Sequence, residues 1–192
     1  AEYERFTAFY PRDERKSYCE FMTAEAYYEM SPIYKLDQEY TNKSIESFRL
    51  YLNNNPNDSL VQRASDRVDE MRSKLAKKLF NAAEYYIRTA DLFLSNNQYE
   101  SAAIYFDTIL EKYPETPWAE KALAYEIKAL VSSAENSVKT KQLERFDKVV
   151  QQYEKYLQLF PEGEHRQLAE DEYLKARKAI RSLEEEQKIS QN

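Results

Sequence analysis

Glycine, cysteine and histidine are almost missing from this chain, which has one of each (Gly163, Cys19 and His165) among 192 residues. A phosphate-binding loop needs several glycines, so the sequence cannot form one. One histidine cannot build a two-histidine metal site, and its place in a predicted interhelix turn does not suit a Ser–His–Asp relay. One cysteine cannot form an internal disulfide, and in a predicted helix it is best interpreted as a small buried hydrophobe. We therefore expect no enzyme activity, no cofactor and no metal site.

Long apolar runs and positive charge are also scarce. No apolar run approaches the roughly 18 residues of a membrane-spanning helix. The net charge of −6 argues against a nucleic-acid partner, because neutralising phosphates requires clustered Lys and Arg. The 34 carboxylates alternate with Lys and Arg, which is typical of solvated helix faces.

Proline, by contrast, marks a pattern that occurs four times, ending at Pro11, Pro56, Pro114 and Pro161. An aromatic residue lies eight positions before each of these prolines, and another large apolar residue lies five positions before it. The first set is Tyr3, Phe48, Phe106 and Tyr153, and the second is Phe6, Tyr51, Ile109 and Tyr156. These offsets place both residues on one helical face, and the proline then ends the helix. The pattern predicts a helical repeat array.

The best copy of the repeat resembles the tetratricopeptide pattern of 34 residues. Its matching positions are Tyr86, Ala90, Phe93, Ala102, Phe106 and Pro114. Two antiparallel helices can approach closely where small residues face each other, here Ala90 and Ala102. The prolines lie more than 34 residues apart, so the connections between helices must be extended. The predicted fold is all-α, a tetratricopeptide-repeat superhelix (α-α solenoid) with extended inter-helix connections.

We predict eight helices, near residues 1–9, 13–30, 39–55, 59–95, 98–113, 117–136, 141–160 and 164–187. They form one predicted domain over 1–192, with a partial first repeat at 1–11, repeats near 13–56, 59–114 and 117–161, and a capping helix at 164–187. Ser59 and Gln62 form a predicted capping box, and Thr116–Pro117 is a predicted helix start. Because the first repeat lacks its first half, we expect the chain to begin inside a larger protein.

Two blocks of sequence carry a closer resemblance. The first block comprises residues 13–18, 26–28, 31–32, 36–38, 40–41, Lys43 and Ile45. The second comprises residues 71–75, 102–103, 113–114, 135–137, Lys141, 144–146 and 160–161. In this order the chain resembles the BamD family of the Bacteroides–Flavobacterium group, the tetratricopeptide lipoproteins of the outer-membrane β-barrel assembly machinery. The lipidated cysteine of that family would lie upstream of Ala1, and Cys19, inside a predicted helix, is not it.

The resemblance implies a scaffold on the periplasmic face of the outer membrane, lipid-anchored in its inner leaflet by a segment outside this chain. It would bind the periplasmic domains of a BamA-like subunit through its C-terminal repeats and unfolded outer-membrane proteins through its N-terminal ones. The N-terminal candidates are Tyr27, Tyr28, Tyr34, Asp37, Gln38 and Tyr40. The C-terminal candidates are Glu126, Lys128 and Arg145, in the predicted helices 117–136 and 141–160. We interpret some of their charges as free to meet a partner, with Arg145 suited to a carboxylate.

Two other classes of protein remain open from the sequence. One is another periplasmic tetratricopeptide adaptor that coordinates the cell envelope. The other is a fragment of a SusD-type glycan-capture protein, whose repeats belong to a much longer chain. The sequence upstream of Ala1 would discriminate between them.

Overall fold

The computed structural model describes residues 2–93 and 96–190, and these fold entirely as helices and connections, without strands. The helices are α1 (Glu2–Phe9), α2 (Lys16–Met30), α3 (Glu39–Asn54), α4 (Val61–Phe93), α5 (Asn96–Lys112), α6 (Trp118–Glu135), α7 (Lys139–Leu159) and α8 (Arg166–Ser190). The prediction of an all-α, tetratricopeptide-like fold is confirmed, and the predicted helix limits are correct to within a few residues. The predicted limits at Ala1 and Ser95, and the side chain of Phe93, lie outside the described residues.

The chain forms two compact units, Ala1–Lys78 and Leu79–Asn192. The long helix α4 contributes its first half to one unit and its second half to the other. Each unit is described below by itself, and the expectation of one domain over 1–192 stays a prediction.

Unit 1 is held together by a core between α2, α3 and the first half of α4. Phe21 of α2 meets Phe48 and Tyr51 of α3 edge-on, with both pairs of ring centroids 5.5 Å apart. Met71 of α4 is fully buried against this cluster. Ser44 is also fully buried, and its hydroxyl donates to the carbonyl of Ala24 at 2.9 Å. A small side chain is therefore needed where α2 and α3 cross.

Unit 2 is held together by the second half of α4 with α5 and α6, and by α6 with α7 and α8. Phe80 packs against Phe106 and Tyr125, with ring centroids 5.2 and 5.3 Å away. Ala90 and Ala102, the predicted close-approach positions, are both fully buried. The repeat helices α3, α5 and α7 thus differ in length and sequence but bury the same apolar offsets in their cores, whereas α1 has no buried residue.

All four proline turns have the same backbone hydrogen bonds. The residue before the proline donates its N–H to the carbonyl four residues earlier. The backbone N–H of the second residue after the proline donates to the carbonyl of the residue just before the proline. The N–H of the fifth residue after the proline donates to the carbonyl of the second. The N···O distances of these bonds lie between 2.8 and 3.3 Å in every turn. The repeat seen in the sequence is therefore also a repeat of backbone geometry.

The first two turns are completed by an aspartate two residues after the proline. Asp13 and Asp58 accept the backbone N–H of Arg15 and Leu60 at 2.9 and 3.0 Å. Asp58 therefore caps the start of α4, and the predicted capping box of Ser59 and Gln62 is wrong. The Ser59 hydroxyl instead lies 3.4 Å from the Asp58 carboxylate, while the Gln62 amide donates to Asp66.

Candidate functional site

The connection at residues 31–38, between α2 and α3, is built around Gln38. Its side-chain amide donates to the carbonyl oxygens of Ile33 and Leu36, both at 3.0 Å, and of Asp37 at 3.2 Å. Its side-chain oxygen accepts the hydroxyl of Thr41 at 2.7 Å. Gln38 is only 6% exposed and holds the turn together, and its predicted role as a contact residue stays a prediction.

Two lysines of α4 form hydrogen bonds with this connection and so join it to the rest of unit 1. The Lys74 ammonium donates to the Ser31 hydroxyl at 2.9 Å, and the Lys78 ammonium donates to the Leu36 carbonyl at 2.6 Å. Burial lowers the pKa of Lys74 below its usual value. The connection is therefore an ordered, packed turn, as its low content of Gly and Ser predicts.

Two of the predicted tyrosines form one surface pair. The rings of Tyr27 and Tyr40 stack with their centroids 6.2 Å apart, and the Lys43 ammonium lies 5.4 Å from the Tyr40 ring. The Tyr27 hydroxyl donates to Glu4 at 2.6 Å, and this bond raises the pKa of Tyr27 and lowers that of Glu4. Tyr27 and Tyr40 present partly exposed aromatic faces next to a cation.

The other three N-terminal candidates occupy separate surroundings. The Tyr28 hydroxyl donates to Glu70, and the Arg67 guanidinium lies 3.8 Å from the Tyr28 ring. The Tyr34 ring lies near the ammonium groups of two lysines, described below. Asp37 is exposed, and its carboxylate accepts the backbone N–H of Glu39 at 2.9 Å. The contacts of Tyr28, Tyr34 and Asp37 therefore differ from those of the Tyr27–Tyr40 pair.

Arg145, the main C-terminal candidate, is engaged inside unit 2. Its guanidinium pairs with Glu100 of α5 at 2.5 Å and donates to the hydroxyls of Ser133 and Ser137 at 3.0 and 2.6 Å. The side chain is only 20% exposed. The interpretation of Arg145 as a free charge is therefore wrong, although contact with a partner stays a prediction.

Glu126 and Lys128 have opposite environments although they are two residues apart on α6. Glu126 is 4% exposed, and burial raises its pKa to about 8, with the charge of Asp107 adding to the effect. Its carboxyl group is therefore not available on the surface. Lys128 is exposed, because residues two positions apart on a helix lie on nearly opposite faces.

Lys128 lines a cavity of about 260 Å³ on unit 2, which we call the α4–α6 cavity. Its walls are Glu84, Ile87, Arg88, Asp91, Tyr125 and Lys128. Asp91 accepts the hydroxyl of Tyr99 at 2.6 Å. Among the described residues, no carboxylate lies within ion-pair distance of Arg88 or Lys128. The cavity therefore combines two cations without intrachain ion pairs, the carboxylates of Glu84 and Asp91, an aromatic ring and an apolar side chain.

Two apolar surfaces lie outside the residues predicted as contacts. In the turn at 31–38 and just before it, Met30, Ile33 and Leu36 are more than half exposed. A cavity of about 400 Å³ is lined by Glu2, Tyr3, Arg5, Phe6, Phe9, Tyr10 and Cys19. A signal for the first was available in the sequence, because Ile33 and Leu36 lie between helices and have no helical face to join.

Comparison with known protein families gives a match to a family of outer-membrane lipoproteins. The model of the YfiO family, described as outer membrane lipoprotein, matches residues 1–146. No curated protein matches the chain. In the part of the chain that the structure describes, no helix is long and apolar enough to cross a membrane, and no group of His, Cys, Asp and Glu is arranged to hold a metal ion.

Proposed function

This chain belongs to the YfiO family of outer-membrane lipoproteins, and on that premise we propose that it is a non-enzymatic scaffold of the outer-membrane β-barrel assembly machinery. In this role it is the BamD-type subunit, lipid-anchored on the periplasmic face of the outer membrane. It binds the periplasmic domains of the BamA-like subunit and receives unfolded barrel proteins. The observation that carries the proposal is the family match over residues 1–146, on a chain folded as repeated helix pairs.

The α4–α6 cavity is the site on unit 2 that best suits the BamA-like domains. Arg88 and Lys128 are exposed and lack carboxylate partners among the described residues, so binding a folded acidic surface breaks no ion pair of the scaffold. Exposed charges of this kind contribute little to fold stability. At an interface they set orientation and association rate. Arg145 and Glu126 are less suitable, because each is already used inside the unit.

The Tyr27–Tyr40 pair is the site on unit 1 that best suits an unfolded barrel protein. Membrane-facing strands of such proteins are rich in aromatic side chains. A stacked, partly exposed tyrosine pair offers ring faces for them, and the Tyr40 hydroxyl can hydrogen-bond to an extended backbone.

The test of the docking site is direct binding between this chain and purified periplasmic domains of the BamA-like subunit from the same organism. We expect the double variant Arg88→Glu, Lys128→Glu to bind at least about tenfold more weakly, because like charges would then face each other. Lys178→Glu, at an exposed position of α8, is the matched control and should bind like the parent.

An unchanged affinity of the double variant, with its melting temperature also unchanged, would show that the BamA-like domains dock elsewhere. A parent chain that does not bind these domains at all would contradict the proposed function. In that case the envelope adaptor and the SusD-type protein remain as interpretations of the same fold.

A further inference from the structure

The turn at 31–38 combines exposed apolar side chains with lysines, although the chain as a whole carries a net charge of −6. Met30, Ile33 and Leu36 are 52%, 64% and 57% exposed. The side-chain amide of the buried Gln38 donates to the backbone carbonyls of Ile33 and Leu36, whose side chains are exposed. We call the segment 30–38 together with the lysines around it the basic-apolar turn.

Four lysines contact this segment or belong to it. The Lys35 and Lys77 ammonium groups lie 5.9 and 4.9 Å from the centroid of the Tyr34 ring. Lys74 and Lys78 donate to Ser31 and to the Leu36 carbonyl, as described above. Their positions are therefore set by contacts with the turn itself.

Three of these lysines have no carboxylate close by among the residues that the structure describes. In the described part of the chain, no carboxylate lies within 4 Å of the ammonium groups of Lys35, Lys74 or Lys78. The nearby Glu39 pairs with Lys43, and Glu70 pairs with Arg67 and accepts the Tyr28 hydroxyl. Asp37 is the remaining acid of the turn, and it accepts a backbone N–H. The basic-apolar turn therefore carries a local excess of positive charge.

We propose that the basic-apolar turn docks on the surface of an anionic phospholipid bilayer. Met30, Ile33 and Leu36 enter the boundary between headgroups and acyl chains, and the surrounding lysines bind lipid phosphates. A bilayer offers both features at once, a negative surface and an apolar layer a few ångströms beneath it. A peptide partner fits less well, because these side chains protrude from a turn instead of lining a groove. The turn thus adds a contact with the membrane to that of a lipid anchor.

The test is co-sedimentation of this chain, without any lipid anchor, with vesicles. We expect it to bind vesicles of phosphatidylglycerol in phosphatidylethanolamine, to bind phosphatidylcholine vesicles weakly, and to lose binding as salt shortens the range of the charges. Lys35→Ala should weaken binding about fivefold, the effect of one lysine near an anionic surface. The double variant Ile33→Asp, Leu36→Asp should abolish binding, and the milder Ile33→Ser, Leu36→Ser should weaken it.

The matched controls are Leu50→Asp, which changes an exposed leucine of α3, and Lys178→Ala on α8. Both should bind vesicles like the parent. The proposal would be overturned if the parent chain did not bind vesicles, or if it bound anionic and phosphatidylcholine vesicles equally. It would also be overturned if the variants of the basic-apolar turn bound like the parent. If variants of the basic-apolar turn bind vesicles normally but no longer bind a denatured barrel protein, the turn would instead be assigned to client capture. The vesicle assay contains no BamA-like subunit, so its failure leaves the proposed function standing.

Discussion

The single glycine of the chain lies in the fourth proline turn, where the first two turns have an aspartate. Glu120 of α6 takes over the aspartate's role there: it accepts the backbone N–H of His165 and the hydroxyl of Tyr156, both at 2.7 Å. Burial by itself would raise the pKa of Glu120, but these hydrogen bonds lower it below its usual value. A Cβ atom at Gly163 would overlap the Glu120 carboxylate. Gly163 is therefore required by close approach.

We predict that Gly163→Ala destabilises the protein by about 1–3 kcal/mol, because the added methyl group displaces Glu120. The triple variant Gly163→Asp, Glu120→Ala, Tyr156→Phe, which also removes the hydroxyl that the new Cβ would meet, should recover part of the loss, because the aspartate can then accept the His165 N–H as Asp13 and Asp58 do in their turns. Urea unfolding measures both free energies. Glu162→Ala, at the exposed neighbouring position, serves as the control. Equal stability of Gly163→Ala and the parent would contradict this account of the turn.

Glu126 makes stability depend on pH. Its pKa is raised from 4.5 to about 8 in the folded protein, where Asp107 and Lys155 are the charged groups that act on it. The folded state therefore binds a proton more tightly than the unfolded state does. The stability that the protonated Glu126 contributes is therefore complete below pH 4.5, and it is lost as the pH rises to about 8.

We predict that Glu126→Gln reduces the fall in melting temperature between pH 5 and pH 8, because the amide has a similar shape and no proton to lose. Thermal unfolding across this pH range measures the effect. Glu154→Gln, at an exposed position of α7, should keep the slope of the parent. The same slope in Glu126→Gln as in the parent would mean that this carboxyl group is ionised in the folded state.

At the scale of the elements, Arg145 joins three segments of unit 2. It reaches from α7 to Glu100 of α5, to Ser133 of α6, and to Ser137 in the connection between α6 and α7. Hydrogen bonds to a charged group are stronger than neutral ones. A partly buried guanidinium with three such partners therefore positions helices, whereas an exposed charge would not.

We predict that Arg145→Glu lowers the free energy of unfolding by about 1–3 kcal/mol, since it removes these hydrogen bonds and faces Glu100 with a like charge. Lys148→Glu, one turn along α7 and well exposed, should change stability by less than about 0.5 kcal/mol. Thermal or urea unfolding of both variants decides the matter. If Arg145→Glu melted at the same temperature as the parent, Arg145 would not be needed for the fold and would again be a candidate for docking a partner.

At the scale of the whole molecule, the chain separates scaffold from contact surfaces. Within each unit the repeated apolar offsets build a core, and the proline turns end each repeat with the same hydrogen bonds. The proposed contacts use residues outside these cores: the Tyr27–Tyr40 pair and the basic-apolar turn in unit 1, and the α4–α6 cavity in unit 2. In repeat proteins, residues outside the cores can serve as contacts because each repeat is stabilised mainly by its packing against neighbouring repeats.

The sequence by itself determined the all-α class, the position of every helix and the four equivalent turns. The physical reason is that these features are local. Residues three, four and seven apart meet on one helical face, and a proline stops a helix wherever it occurs. The same locality explains why the ordered connection at 31–38 was predictable from its composition.

Only the tertiary structure decided which polar residues are free. Gln38 and Tyr40 lie two residues apart, yet one is buried in the turn and the other partly exposed. Arg145 is held by Glu100, which is 45 residues away in sequence, and Glu126 is buried because neighbouring helices cover its face of α6. The offsets along one helix say which residues share a face. Which face is then covered depends on helices distant in sequence, and that is a property of the packed chain.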